Sequence, residues 1–220
     1  MEKSFVVCEK IEGLRYDIGK YLYSLLASIN NVDSSYIHYD GNNKDEEFEH
    51  VERVFAYELY RQWCDYPLIK NNKYIVVNAE IPKNLISEAR NEKTLMYPDL
   101  VLHHGQNAYK GNLIVCEIKR DGYASQHHDK VRDDFIKLKT FLSDELKVKA
   151  NNTEWEPFEI AVFVLTVSKD AIDALSVSKI LTFLEGQDLE DITKYSERIY
   201  CVVYNGKELK YDTLYNMINK

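Results

Sequence analysis

The chain has 220 residues, with 28 Lys and Arg against 36 Asp and Glu, a formal charge of −8, and 45% apolar residues. That length and balance suit one domain with a full core and exclude disordered, collagenous and low-complexity classes. No apolar run reaches the ~18 residues of a membrane span, and the apolar stretch near the N-terminus is too short for a signal peptide, so the sequence reads as soluble and cytoplasmic with no membrane partner.

In chain order, Leu14, Ile18, Tyr21, Leu22, Leu25 and Leu26 recur at three and four residues and predict an amphipathic helix over 9–30. A polar break from Asn30 to Lys44 follows. A second helix is expected from Asp45 to Trp63, with the stripe Phe48, Val51, Phe55, Leu59 and Gln62, and with Asp45, Glu46 and Glu47 at the positive end of its dipole. The period then changes to that of strands. Tyr74–Glu80, Asp99–His103 and Leu113–Lys119 are expected strands, the last two joined as a hairpin through a stretch carrying Gly105, Asn107, Gly111 and Asn112. A helix from His128 to Leu142 would turn Val131, Phe135, Leu138 and Leu142 inward. Phe158–Val167 is the longest apolar strand and is expected at the centre of the sheet. A helix over 170–185, a strand from Arg198 to Tyr204 and a closing helix from Tyr211 to Ile218 complete the reading. This order predicts an α/β chain with a mixed sheet flanked by helices. It divides into a helical addition (1–44), a core (45–168) and a helix–strand–helix extension (169–220).

The four cysteines, Cys8, Cys64, Cys116 and Cys201, contain no CxxC pair; Cys116 and Cys201 lie in apolar runs and read as small core residues. His103-His104 and His127-His128 do not make a zinc site, because adjacent strand residues face opposite ways and no HxH or HxxxH spacing exists. His103 shares a face with Asp99. The tyrosines at Tyr21, Tyr60, Tyr74 and Tyr200 sit at amphipathic positions and read as core-edge residues. The acidic balance argues against a protein that coats nucleic acid, although Lys110–Lys149 holds nine basic against seven acidic residues.

Chemistry concentrates at three positions. Glu117 and Lys119 are two apart on one strand and point the same way, while Ile114, Cys116 and Ile118 face a core. Asp99 opens the preceding strand, and hairpin pairing brings the start of one strand beside the end of the other. Two carboxylates held close need a cation, and oxygen ligands suit Mg²⁺ or Mn²⁺. A lysine alongside can orient or deprotonate an attacking water or stabilise developing charge, which together outlines a phosphodiester-hydrolysis site.

Pro98-Asp99, seventeen intervening residues, and then Glu117-Ile118-Lys119 resemble the PD-(D/E)xK nuclease superfamily, the restriction-endonuclease-like fold, in one of its bacterial branches. The resemblance covers residues 45 to 168. It implies a core of helix, three strands, helix and strand, with helical additions at both ends. It also implies an acid on the first core helix, for which Glu52 matches best and Glu58 is the reserve. It further implies an acid at Glu80 able to join Asp99 and Glu117 at a metal, and a cleft-flanking helix from which Lys137 touches a phosphate, although a solvated helix face is the simpler reading of Asp134 and Lys137. Gln126 lacks the following tyrosine of some exonuclease branches, so no processive exonuclease is implied. The expected activity is Mg²⁺- or Mn²⁺-dependent, endonuclease-like cleavage of DNA leaving 5′-phosphates. Asp99 and Glu117 would hold the metal, Lys119 would act on the water, Glu52 would assist, and a homodimer would serve duplex cleavage. The alternatives are an inactive module of this fold binding nucleic acid or a protein, and an RNA nuclease.

Overall fold

The structure is a computed structural model that describes residues 16–37, 44–80, 83–87, 92–105, 111–143, 146–150, 153–155, 157–167, 178–184 and 190–220. Its helices are α1 (Tyr16–Asn31), α2 (Lys44–Asp65), α3 (Pro67–Lys70), α4 (Asp121–Ala124), α5 (His128–Leu142), α6 (Lys179–Thr182), α7 (Glu190–Thr193) and α8 (Leu214–Ile218). Its strands are β1 (Ile75–Ala79), β2 (Lys83–Ser87), β3 (Glu92–Met96), β4 (Leu100–His104), β5 (Asn112–Arg120), β6 (Leu146–Ala150), β7 (Thr153–Trp155), β8 (Phe158–Thr166), β9 (Ile199–Tyr204) and β10 (Leu209–Thr213). Among the described residues no helix is long and apolar enough to cross a membrane.

A six-stranded mixed sheet in the order β1-β4-β5-β8-β9-β10 forms the centre. β1, β4 and β5 are antiparallel neighbours, β5, β8 and β9 run parallel, and β10 turns back on β9. The two central strands are apolar on both faces, as a sheet covered on both sides requires. Ile114, Cys116 and Ile118 of β5 join Val162 and Val164 of β8 in a core closed by Leu22 and Leu25 of α1 and Phe55, Leu59 and Trp63 of α2. Val115, Phe163 and Leu165 face the other way, onto Val131, Phe135 and Leu138 of α5. Fully burying each such side chain is worth roughly 1.5–3 kcal/mol, so two filled faces hold the centre of the sheet rigid. Trp63 Nε1 donates to Ser24 Oγ at 2.9 Å, which satisfies the indole where α1 meets α2.

Several expectations are revised. The inward stripe of α2 continues to Trp63 rather than Gln62, because steps of four from Phe55 through Leu59 end there; Gln62 donates to Glu58 instead. Strict alternation along β5 would set Leu113 on the face of Val115, but it shares a core with Ile114, since the β4–β5 register shifts between Leu102 and His103. Residues 211–213 are strand, and only Leu214–Ile218 is helix. The cause is the Asn205-Gly206 reversal: Gly206 lies at φ +82°, and Asn205 Oδ1 accepts from the Lys207 and Glu208 amides. The C-terminal extension therefore contributes β9 and β10 to the main sheet. A second, four-stranded sheet in the order β3-β2-β6-β7 was not expected. The expected helix over 170–185 and the start of that over 9–30 fall mostly outside the described residues; within them lie only the short α6 and the stretch from Tyr16.

Candidate active site

The site lies at the C-terminal end of β5, where both helical layers reach the end of the sheet. Leu100 pairs with Cys116, so Asp99, one residue earlier, sits across from the end of β5. Its Oδ2 accepts the Ile118 amide at 2.7 Å. Pro98 before it is buried, and as an X-Pro step it holds Tyr97 in extended backbone.

Glu117 points toward α5 and is 1% exposed; its Oε2 lies 2.8 Å from Lys137 Nζ, while its Oε1 is buried without a hydrogen-bond partner. Lys119 lies one pleat further along the same face, at the sheet end, where helices of both layers meet it. Its ammonium is 3.0 Å from Glu52 Oε1 on α2 and 3.2 Å from Asp134 Oδ2 on α5, and it also donates to the Ile118 carbonyl at 3.1 Å. Lys137 Nζ closes the ring with Asp134 Oδ1 at 2.7 Å. A cavity of about 600 Å³ opens over this group, and its walls include Glu52, Asp99, Lys119, Asp134 and Lys137.

Four carboxylates thus share two ammonium groups. If all ionise, two negative charges remain uncompensated in a largely buried place, and removing such charges from water is costly. The titration behaviour follows. Burial raises the Glu52 carboxyl to about 7; the Lys119 charge opposes the rise, and Asp99 and Asp134 add to it. Burial likewise lifts Asp99, against the pull of Lys119 and the Ile118 amide. Glu117 is pushed well up by burial and by the neighbouring Asp99 and Asp134 charges. Burial would lower the Lys119 ammonium, but Asp134, Glu52 and Asp99 outweigh it and hold it above its ordinary value. Lys137 behaves the same way through Glu117 and Asp134.

Two missing positive charges, hard oxygen donors and an orphaned buried Glu117 Oε1 fit a divalent cation such as Mg²⁺ or Mn²⁺, with Asp99 and Glu117 as the residues to hold it. Among the described residues no cluster of three or more His, Cys, Asp or Glu forms a ready-made cage. Glu52, Glu117 and Asp134 are instead held by lysines, and Asp99 by the Ile118 amide.

The structure brings Asp99, Glu117, Lys119 and Glu52 together, whereas Glu58 is taken by Arg61 Nε and Gln62 Nε2, each at 2.8 Å, and its carboxyl is lowered chiefly by Arg61. Glu80 stands exposed at the cavity wall just past β1, at φ +48°, a left-handed conformation costly for a non-glycine residue; its amide donates to the Asp99 carbonyl at 3.1 Å. Lys137 points at carboxylates rather than outward. Asp134 is buried rather than part of the solvated helix face that was its simpler reading. The signal was present: position 134 falls at i+3 from Val131 and i−4 from Leu138, on the inward stripe. His103 turns from the cleft to Asn78, its Nε2 2.6 Å from Asn78 Oδ1. Tyr21 and Tyr200 are buried and Tyr60 is partly so, but Tyr74 is exposed. Cys116 and Cys201 are buried as expected, and Cys8 lies outside the described residues. Comparisons with protein-family models, curated proteins and solved structures found no match for this chain.

Proposed function

We propose that this chain is a Mg²⁺- or Mn²⁺-dependent phosphodiester hydrolase acting on DNA, with β1, β4, β5 and β8 between α2 and α5 as a restriction-endonuclease-like core. The observation that carries the reading is the buried acid cluster short of two positive charges, with a lysine inside it, at the floor of an open cavity.

Asp99 and Glu117 would hold a divalent ion, which would supply phosphate charge neutralisation and a more acidic water. The chain's own groups divide the remaining work. Lys119, surrounded by carboxylates, keeps its proton and so serves as a fixed positive charge for the phosphorane-like transition state, rather than as the base. Glu52, near neutrality, is matched to accept a proton from the attacking water. Asp134 holds Lys119 and Lys137 in place from α5. Water attack on phosphorus, with departure of the 3′ oxygen, leaves a 5′-phosphate and a 3′-hydroxyl.

The test is cleavage of single-stranded, duplex and branched DNA and of RNA with Mg²⁺ or Mn²⁺, comparing the wild type with Asp99→Ala and Lys119→Ala. The expected result is metal-dependent DNA cutting lost in both variants. Equal cutting by all three proteins refutes the assignment, and cutting confined to RNA changes the substrate class. One observation favours a second reading, a non-catalytic module of this fold: the Lys137 ammonium already sits on Glu117 Oε2. That reading gains if a folded wild type cuts nothing and shows no Asp99-dependent metal binding by calorimetry. A homodimer belongs to the proposal only if both strands of a duplex are cut together.

A further inference from the structure

We infer that the cavity takes an unpaired nucleotide of a single-stranded or locally opened nucleic acid, with the rings of Tyr57 and Tyr97 as its stacking surfaces. This deepens the phosphodiester reading and rests on it for the identity of the group at the cavity floor.

Tyr57 is 53% exposed and Tyr97 is 50% exposed, and both line the cavity that holds Asp99 and Lys119. An aromatic ring gains most from burial, so a half-exposed tyrosine forfeits much of what its side chain offers the fold. Among the described residues five large hydrophobic side chains stay exposed, and two of them stand on this one cavity. Local structure places each ring there. On α2, Phe55, Glu58 and Leu59 turn inward, while Arg53 and Tyr57, four apart, share the edge that faces the cavity with Ala56 beside them. Tyr97 precedes the buried Pro98, which fixes extended backbone and leaves the ring two residues from Asp99.

The charge distribution selects the occupant. A protein of net charge −8 gains little from the general attraction of a phosphate backbone, which supplies most non-specific duplex binding. The cavity wall carries Arg53 and Lys130, but Glu80 and Asp133 stand on it too, so local attraction reaches a phosphate or two at most. The remaining affinity must come from the bases. In a duplex those π-faces are already stacked; in a single strand they are available to tyrosine rings without sequence preference.

The test measures fluorescence anisotropy of labelled oligothymidine, of a matched duplex and of an oligonucleotide of the same length made of abasic sites, with Ca²⁺ as the metal. The full-length wild type is compared with Tyr57→Leu, Tyr97→Leu and the corresponding phenylalanine variants. The expected result is tighter binding of oligothymidine than of duplex, roughly tenfold weaker oligothymidine binding for each leucine variant, recovery with phenylalanine, and no effect of either change on the abasic strand. Unchanged oligothymidine binding by the leucine variants overturns the inference. So does an equal loss on the abasic strand, or a wild type that binds duplex as tightly as single strand or binds neither. Failure of the hydrolase reading looks different: base-dependent binding through the tyrosines persists, but no Asp99-dependent cleavage accompanies it.

Discussion

Replacing Glu52 with glutamine isolates the electrostatic cost of the cluster. The wild-type carboxyl rises from 4.5 to about 7 on folding, chiefly through burial. Because the folded value is the higher one, the proton stabilises the fold. That contribution is complete below pH 4.5 and is lost as pH climbs through about 7. The rise corresponds to about 3 kcal/mol at 1.36 kcal/mol per pH unit, and with the side chain 19% exposed solvent screening removes little of it. Glutamine keeps an acceptor for Lys119 but has no proton to lose. Removing the Glu52 charge also eases the ionisation of Asp99, which acts in the same direction. Urea unfolding followed by circular dichroism between about pH 5 and pH 8 reads the effect. The wild type should lose about 2.5 kcal/mol more than Glu52→Gln over that window, since part of the contribution is already gone at pH 5. Parallel stability curves for the two proteins would mean that Glu52 ionises as freely in the fold as in the unfolded chain, and that burial does not raise it.

Lys137→Met should leave Glu117 without a nearby ammonium and Asp134 with Lys119 alone, and cost about 3–5 kcal/mol in metal-free buffer; Mn²⁺ should raise its melting temperature more than that of the wild type, and equal shifts would show that Lys137 does not stand in for a bound cation. Phe163→Ala opens the core where Phe163 packs on Phe135 at a centroid distance of 4.8 Å, and should lower the unfolding free energy by about 3–5 kcal/mol with Mn²⁺ affinity unchanged. Gly206→Ala should cost about 1–3 kcal/mol in urea unfolding, since it combines φ +82° with a Cβ 2.6 Å from Ser34 Cβ. Gly105→Ala, whose Cβ would meet nothing closer than 3.5 Å, is the near-neutral control.

Much of the fold was legible where one periodicity ran long enough. The α5 stripe Val131, Phe135, Leu138 and Leu142 is wholly buried, and the apolar run from Phe158 is a central strand. The second sheet was not legible. Lys83–Ser87 and Glu92–Met96 are five-residue strands rich in polar and charged residues, which carry too little alternation to be distinguished from loop. The β9–β10 hairpin was legible in Asn205-Gly206, a turn signal obscured by the helical spacing of the residues after it. Asp134 shows a different failure. Its polarity read as solvent exposure, whereas its position on the inward stripe held the information.

For the site, sequence alone determined what depends on local geometry. Alternation along β5 put Glu117 and Lys119 on one face, and a hairpin put Asp99 at the end of that strand. What depends on the meeting of layers was set by tertiary packing. Lys119 is held between Glu52 and Asp134, which come from helices on opposite faces of the sheet and are separated in the chain by more than eighty residues. The same meeting buries four carboxylates with two ammonium groups. The charge state of a carboxyl is set by how much water it has lost and which charges stand within a few ångströms. Both are properties of three-dimensional packing, and no spacing along a chain encodes them.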